Sequence, residues 1–184
     1  MSKFKVSDLS PPLRSLLNSA IAVGSVLICL LMLPTRLPGT ELLGMRPDWL
    51  LIWVVAWSVK RPPLQGAIAG LSLGLLWDSM SAPTPSHAVS LTVVGFLTGS
   101  IQKQRYIQED FISVALIVFG MSILAETITA VQYIFHGWRS AVEIWEVRQR
   151  LTLITAVLSS LWTPVLYYPL NRWWEYLKSL DQAQ

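Results

Sequence analysis

The chain has almost no cysteine, little charge and no run of basic residues longer than two. Cys29 is the only cysteine in 184 residues, so neither an internal disulfide nor a cysteine-built metal centre is open to it. Asp, Glu, Lys and Arg make up 14% of the sequence, where soluble domains carry about 25%. The two histidines, His87 and His136, stand alone outside the apolar stretches, in solvated or capping positions. No HExxH, GxSxG, Cys–His or phosphate-loop pattern accompanies them, so neither catalysis nor a metal or other cofactor is expected. A net charge of +3 without a basic cluster gives no footprint for nucleic acid. No internal repeat is visible, which removes the inverted-repeat signature of many transporters.

What is abundant is apolar sequence: 53% of residues, with mean hydropathy +0.49. It falls into six stretches, at about 16–33, 48–59, 64–80, 88–101, 111–135 and 151–170. These are read as membrane helices of one all-α domain spanning 1–184. The first follows Lys3, Lys5 and Arg14 like a signal peptide. It ends in Leu33-Pro34-Thr35-Arg36 with no small-residue cleavage site, so it is expected to stay as the first helix. Counting connections alternately puts Lys3, Lys5, Arg14, Lys60, Arg61, Lys103, Arg105, Arg172 and Lys178 on one side. Arg36, Arg46, Arg139, Arg148 and Arg150 fall on the other. All lysines share one side, and the positive-inside rule makes it cytoplasmic, with both termini. The basic loops then touch anionic lipid. The second helix is expected to open with Pro47 at its first position and Asp48 in its first turn. Ala141, Val142, Trp145 and Arg148 keep helical spacing and predict a short helix lying at the outer interface. Trp173 and Trp174 read as a cytoplasmic anchor, and Pro164 and Pro169 are expected to bend the last helix.

Three acids lie in or beside apolar stretches: Asp48, Asp78 and Glu126. Asp78 stands fourteen residues above Leu64 and Glu126 fifteen above Phe111, climbs of about 21 and 22 Å. With Asp48 opening the second helix from outside, all three fall in one outer layer. A carboxylate there needs a partner, and the outer arginines are the strong candidates. The acids then pin outer loops to the bundle, form a partner- or headgroup-binding site, or relay a proton or ion.

Gly66, Gly70 and Gly74 repeat at four-residue spacing, with Asp78 next in the series, and Gly95 and Gly99 repeat the pattern in the fourth helix. Such ridges let a second backbone approach, within the chain or from another subunit. Ser122, Glu126, Thr129 and Tyr133 stripe the fifth helix, and Thr152, Thr155, Ser159 and Thr163 the sixth. The stripes specify helix pairing, or line a small-ligand pocket built from Ser122, Glu126, Thr129, Thr155 and Ser159. Trp49, Trp53 and Trp57 recur four apart on the second helix and read either as core or as a ridge facing lipid or a partner.

Arg46-Pro47-Asp48-Trp49-Leu50-Leu51, then Lys60-Arg61-Pro62, then Gly66 through Gly74-Leu75-Leu76-Trp77-Asp78-Ser79, resemble the bacterial MreD family. Those proteins carry Pro-Asp before an apolar run, a basic-Pro turn and a Gly-rich third helix ending in aspartate. The six-helix layout and size match over the whole chain. The resemblance implies a non-enzymatic scaffold of cell elongation and peptidoglycan synthesis in the bacterial plasma membrane. It would bind the single-pass protein MreC and sit with MreB filaments, RodA and a class B transpeptidase. Pro47, Asp48 and Asp78 carry the motif, with the outer face and the second and third helices as the docking surface. The family is also similar in fold to six-helix substrate-binding subunits of vitamin transporters. A small-molecule-binding subunit of a transporter is therefore the alternative, and a proton-coupled transporter a third.

Overall fold

Ten residues, Trp-Leu-Leu-Ile-Trp-Val-Val-Ala-Trp-Ser, are apolar on every side of the helix they form, and such a helix has to be enclosed. The architecture follows from that requirement. The computed structural model describes residues 11–35, 44–81, 85–102, 111–135 and 141–182. Side chains at 11, 12, 15, 102, 141–150, 178 and 180–182 lie outside that description. The described residues form six helices and no strand: α1 Pro11–Met32, α2 Trp49–Ser58, α3 Pro63–Met80, α4 His87–Gln102, α5 Phe111–Phe135 and α6 Ala141–Gln182. α2 is the axis, packed against each of the other five.

Leu50, Leu51, Ile52, Val54, Val55 and Ala56 are wholly inaccessible, and Trp49 and Trp53 nearly so. The tryptophans are therefore wedges in the core, and the expectation of an exposed or partner-facing ridge on this helix is corrected. Trp49 packs edge-on against Trp162 of α6 at 5.5 Å, Trp53 stacks on Trp57 at 5.1 Å, and Trp57 meets Trp174 edge-on at 5.7 Å. A buried indole N–H wants an acceptor, and Trp53 Nε1 donates to Ser25 Oγ of α1 at 2.8 Å. Trp174 is thus packed against the core at the end where an anchor was expected. At that end the Arg61 guanidinium lies 3.5 Å from the Trp57 ring centre, and burial lowers its pKa.

α2 begins at Trp49, two residues after the expected start at Pro47, so Asp48 lies outside the first turn. Asp48 is its N-cap, accepting from Leu51 N–H at 3.0 Å, and Pro47 precedes the cap. Asp is among the preferred residues there because its carboxylate satisfies an amide that has no intrahelical partner. At ten residues the helix is about 15 Å long, half a hydrocarbon thickness.

α3 and α4 form an antiparallel hairpin through the glycine ridges. A Cβ at Gly66 would fall on the Gly95 carbonyl, one at Gly70 on the Leu91 carbonyl, and one at Gly74 on Ala88. Gly99 closes the other end against Pro63. Both ridges therefore serve packing within the chain. α6 runs unbroken from Ala141 through Pro164 and Pro169, so the expected interfacial helix is the start of α6 and not a separate element. Among the described residues two segments, Phe111–Phe135 and Leu151–Leu177, are long and apolar enough to cross a membrane, and Leu16–Met32, Trp49–Ser58 and His87–Ile101 are shorter apolar helices.

Candidate functional site

Where α3 ends and α4 begins, polar groups of both helices meet beside α5. Asp78 organises them. Its Oδ2 accepts from Ser86 Oγ at 2.8 Å and from Ala88 N–H at 3.2 Å. Its Oδ1 accepts from His87 N–H at 2.8 Å and pairs with His87 Nδ1, also at 2.8 Å. The carboxylate from α3 therefore caps α4, as the positive end of a helix favours. A bond from a carboxylate to Nδ1 requires the imidazole proton on that nitrogen. The His87 ring in turn stacks on Trp77 at 4.1 Å with planes 10° apart. From α5, Gln132 clamps the turn from the other side: Ser86 N–H donates to Oε1 at 2.7 Å and Nε2 donates to Ser86 O at 3.1 Å.

Beside this turn lies a cavity of about 310 Å³. Asp48, at the start of α2, and Glu126, on α5, both face it. Thr129 and Tyr133 continue the α5 side at the helical spacing of the polar stripe, and Ala125 completes it. The α3–α4 side contributes Trp77, Ser81, Pro85, His87, Ser90 and Leu91. The start of α2 is fixed from α6, because the Asp48 backbone N–H donates to Ser159 Oγ at 2.9 Å. Among the described residues no group of three His, Cys, Asp or Glu side chains is placed to hold a metal ion.

The structure thus places the three acids at one end of the bundle in two different roles. Asp48 and Glu126 line the cavity, while Asp78 stands behind its wall and is spent on the α4 N-terminus. The partner found for Asp78 is a histidine and a helix end, where an arginine was expected. Arg36, Arg139 and the side chains of Arg148 and Arg150 lie outside the described residues, and Arg46 Nη1 donates to the Leu33 carbonyl at 2.7 Å. Of the residues expected to line a ligand pocket, Glu126 and Thr129 do so. Ser122 and Ser159 are instead wholly buried in the helix packing, and Thr155 is not among the cavity's lining residues.

Trp77, His87, Ser90 and Gln132 were not legible as site residues. His87 reads in sequence as a lone loop histidine, and only the α3–α4 register brings its ring onto Trp77 and its Nδ1 to Asp78. Gln132 continues the stripe of Ser122, Glu126 and Thr129 by three residues and was detectable by that spacing alone.

A family model described as MreD, rod shape-determining protein MreD, matches residues 14–175. No curated protein and no solved structure matches the chain.

Proposed function

The chain belongs to the MreD family of rod shape-determining proteins, and on that premise we propose that it is a non-enzymatic, multi-pass scaffold of cell elongation in the bacterial inner membrane. It crosses six times with both termini in the cytoplasm and binds an MreC-like single-pass protein. MreB, RodA and a class B transpeptidase are its further neighbours in peptidoglycan synthesis.

The observation that carries the membrane reading is the distribution of polarity. Leu16, Leu31, Leu64, Leu116 and Leu161, on four different helices, are each 66–69% exposed. Ser58, Thr98, Ser122, Ser159 and Thr163 are buried with the glycines. Large apolar side chains exposed on so many helices mark a surface made to meet an apolar environment. In lipid the same arrangement is natural, because close packing of small and hydroxyl-bearing residues draws helices together there.

The docking surface lies on α3, since α2 is enclosed. Opposite the glycine ridge, Leu64, Ile68, Leu71 and Leu75 form an exposed apolar ridge at helical spacing. A partner's single helix packs along it, and its extracellular segment reaches the turn around Asp78. Capture of a tagged copy from a rod-shaped bacterial host, with co-purifying membrane proteins identified by mass spectrometry, tests this. An MreC-like protein is expected with the wild type and is lost when Ile68 and Leu75 are both changed to Trp. Undiminished capture by that variant removes α3 as the docking surface, and absence of any MreC-like protein from the wild type sinks the scaffold reading. Recovery of an ATPase pair with a hydrophobic coupling subunit would instead make the chain a transporter's binding subunit.

A further inference from the structure

We propose that Arg61, in the turn between α2 and α3, seats a phosphate oxyanion carried on an anionic lipid of the cytoplasmic leaflet. Its guanidinium carbon lies 3.5 Å from the centre of the Trp57 ring. At that distance the group lies flat on the ring face. Its N–H groups then point sideways out of the stack, the direction from which an oxyanion is held by two parallel bonds. Among the described residues no acid or carbonyl accepts from that guanidinium. Glu175, an acid at the same end of the bundle, accepts instead from Asn171 on its own helix at 2.8 Å. The seat is also rigid. Trp57 is held by Trp53, stacked at 5.1 Å, and by Trp174, edge-on at 5.7 Å. A cation fixed before binding loses little side-chain freedom when its ligand arrives.

Depth in the membrane selects the ligand. Trp57 and Trp174 sit where α2 ends and the chain turns back, the level of an interfacial tryptophan belt. Leu64, in the first turn of α3, is 69% exposed and faces the apolar layer. The oxyanions found at the boundary between the two are lipid phosphates. Burial holds the Arg61 pKa below the usual arginine value. The charge is thus partly out of water, where an oxyanion partner counts for more. The start of α3 adds to the same field, because Pro62 at its N-cap supplies no side-chain hydrogen bond to offset the positive helix end. A zwitterionic headgroup fits less well, since its own ammonium already answers its phosphate.

This rests on the membrane reading of the chain and not on its partner, since lipid binding is read without any captured protein. Solubility of the chain without detergent would refute the membrane reading, and this one with it. For the test, the full chain in neutral detergent is titrated with dioleoylphosphatidylglycerol, dioleoylphosphatidylcholine or inorganic phosphate. Bound lipid is counted by native mass spectrometry. The wild type is expected to bind phosphatidylglycerol in preference to phosphatidylcholine. Arg61→Lys keeps the charge and gives up the planar fork, and about tenfold weaker phosphatidylglycerol binding is expected. Arg172→Gln removes a charge from the same side, where that arginine already donates to the Tyr168 hydroxyl at 3.0 Å. It should bind as the wild type does. Should Arg61→Lys fail to fold, Arg61→Gln takes its place in the comparison. Displacement of the lipid by equimolar inorganic phosphate assigns the seat to a soluble phosphate, and no displacement assigns it to the lipid. Equal binding of both lipids by the wild type, unchanged binding in Arg61→Lys, or an equal loss in Arg172→Gln overturns the proposal.

Discussion

Replacing Asp78 by alanine is expected to unpin α4 from α3, and the loss can be worked out from the bonds. The side chain caps α4 through the amides of His87 and Ala88 and also receives the Ser86 hydroxyl. Loss of a cap costs about 0.5–2 kcal/mol, and each further donor left without its acceptor about 1 kcal/mol. The hydrogen bond to the His87 Nδ1 adds at most about 1 kcal/mol, because the side chain is 27% exposed and water competes for it. Water reaching the turn replaces part of what is lost, so about 2–4 kcal/mol remains. For a chain of this length that is about 4–16 °C in Tm. Asp78→Asn keeps one acceptor oxygen and is expected to lose about half as much. The assay is thermal loss of helicity in mixed micelles, compared at equal protein. A melt of Asp78→Ala within about 1 °C of the wild type refutes the assignment of Asp78 as the α4 cap. The same experiment governs capture: partner loss in this variant counts as a docking effect only where the melt is unchanged.

Gly70→Ala is expected to destabilise by about 1–3 kcal/mol, since its Cβ would fall on the Leu91 backbone. Gly120→Ala, with nothing within 4 Å of a new Cβ, is expected to stabilise by up to about 1 kcal/mol; equal melts for the two variants would contradict the close α3–α4 approach. Trp53→Phe removes the indole donor to Ser25 and is expected to cost about 1 kcal/mol. In a double-mutant cycle with Ser25→Ala that cost should disappear, and full additivity would show that the bond contributes nothing. Cys29 is wholly buried and should stay silent to a membrane-impermeant maleimide. In intact cells with a permeabilised outer layer, Ser81→Cys should label directly and Lys60→Cys only after lysis. The opposite pattern would invert the proposed topology.

Helix number and placement were legible because each helix is a long apolar run bounded by Pro, Gly or charge. Five of the six start within five residues of the expected position, and α6 starts ten residues early, over a stretch that reads in sequence as a separate element. The periodicity of Ala141, Val142, Trp145 and Arg148 was real, but spacing says nothing about whether one helix continues into the next. The glycine ridges told which face of α3 is packed, and the four-residue step to Asp78 carried that face to its end. Which helix receives the ridge was not legible, because small residues mark a close approach without naming the partner.

The tryptophans of α2 show the same boundary. Their spacing fixes one line on one helix and leaves open whether lipid, a partner or the core lies beyond it. Enclosure follows from five neighbouring helices, a property of no single segment. The sequence by itself determined the helical class, the family and the layer in which Asp48, Asp78 and Glu126 lie, since all three depend on local order and rise per residue. Only the tertiary structure set Asp78 against the N-terminus of α4 and Asp48 and Glu126 on the wall of one cavity. A carboxylate's role depends on the donors that reach it, and those of Asp78 come from across a turn while the cavity's walls come from helices far apart in the chain.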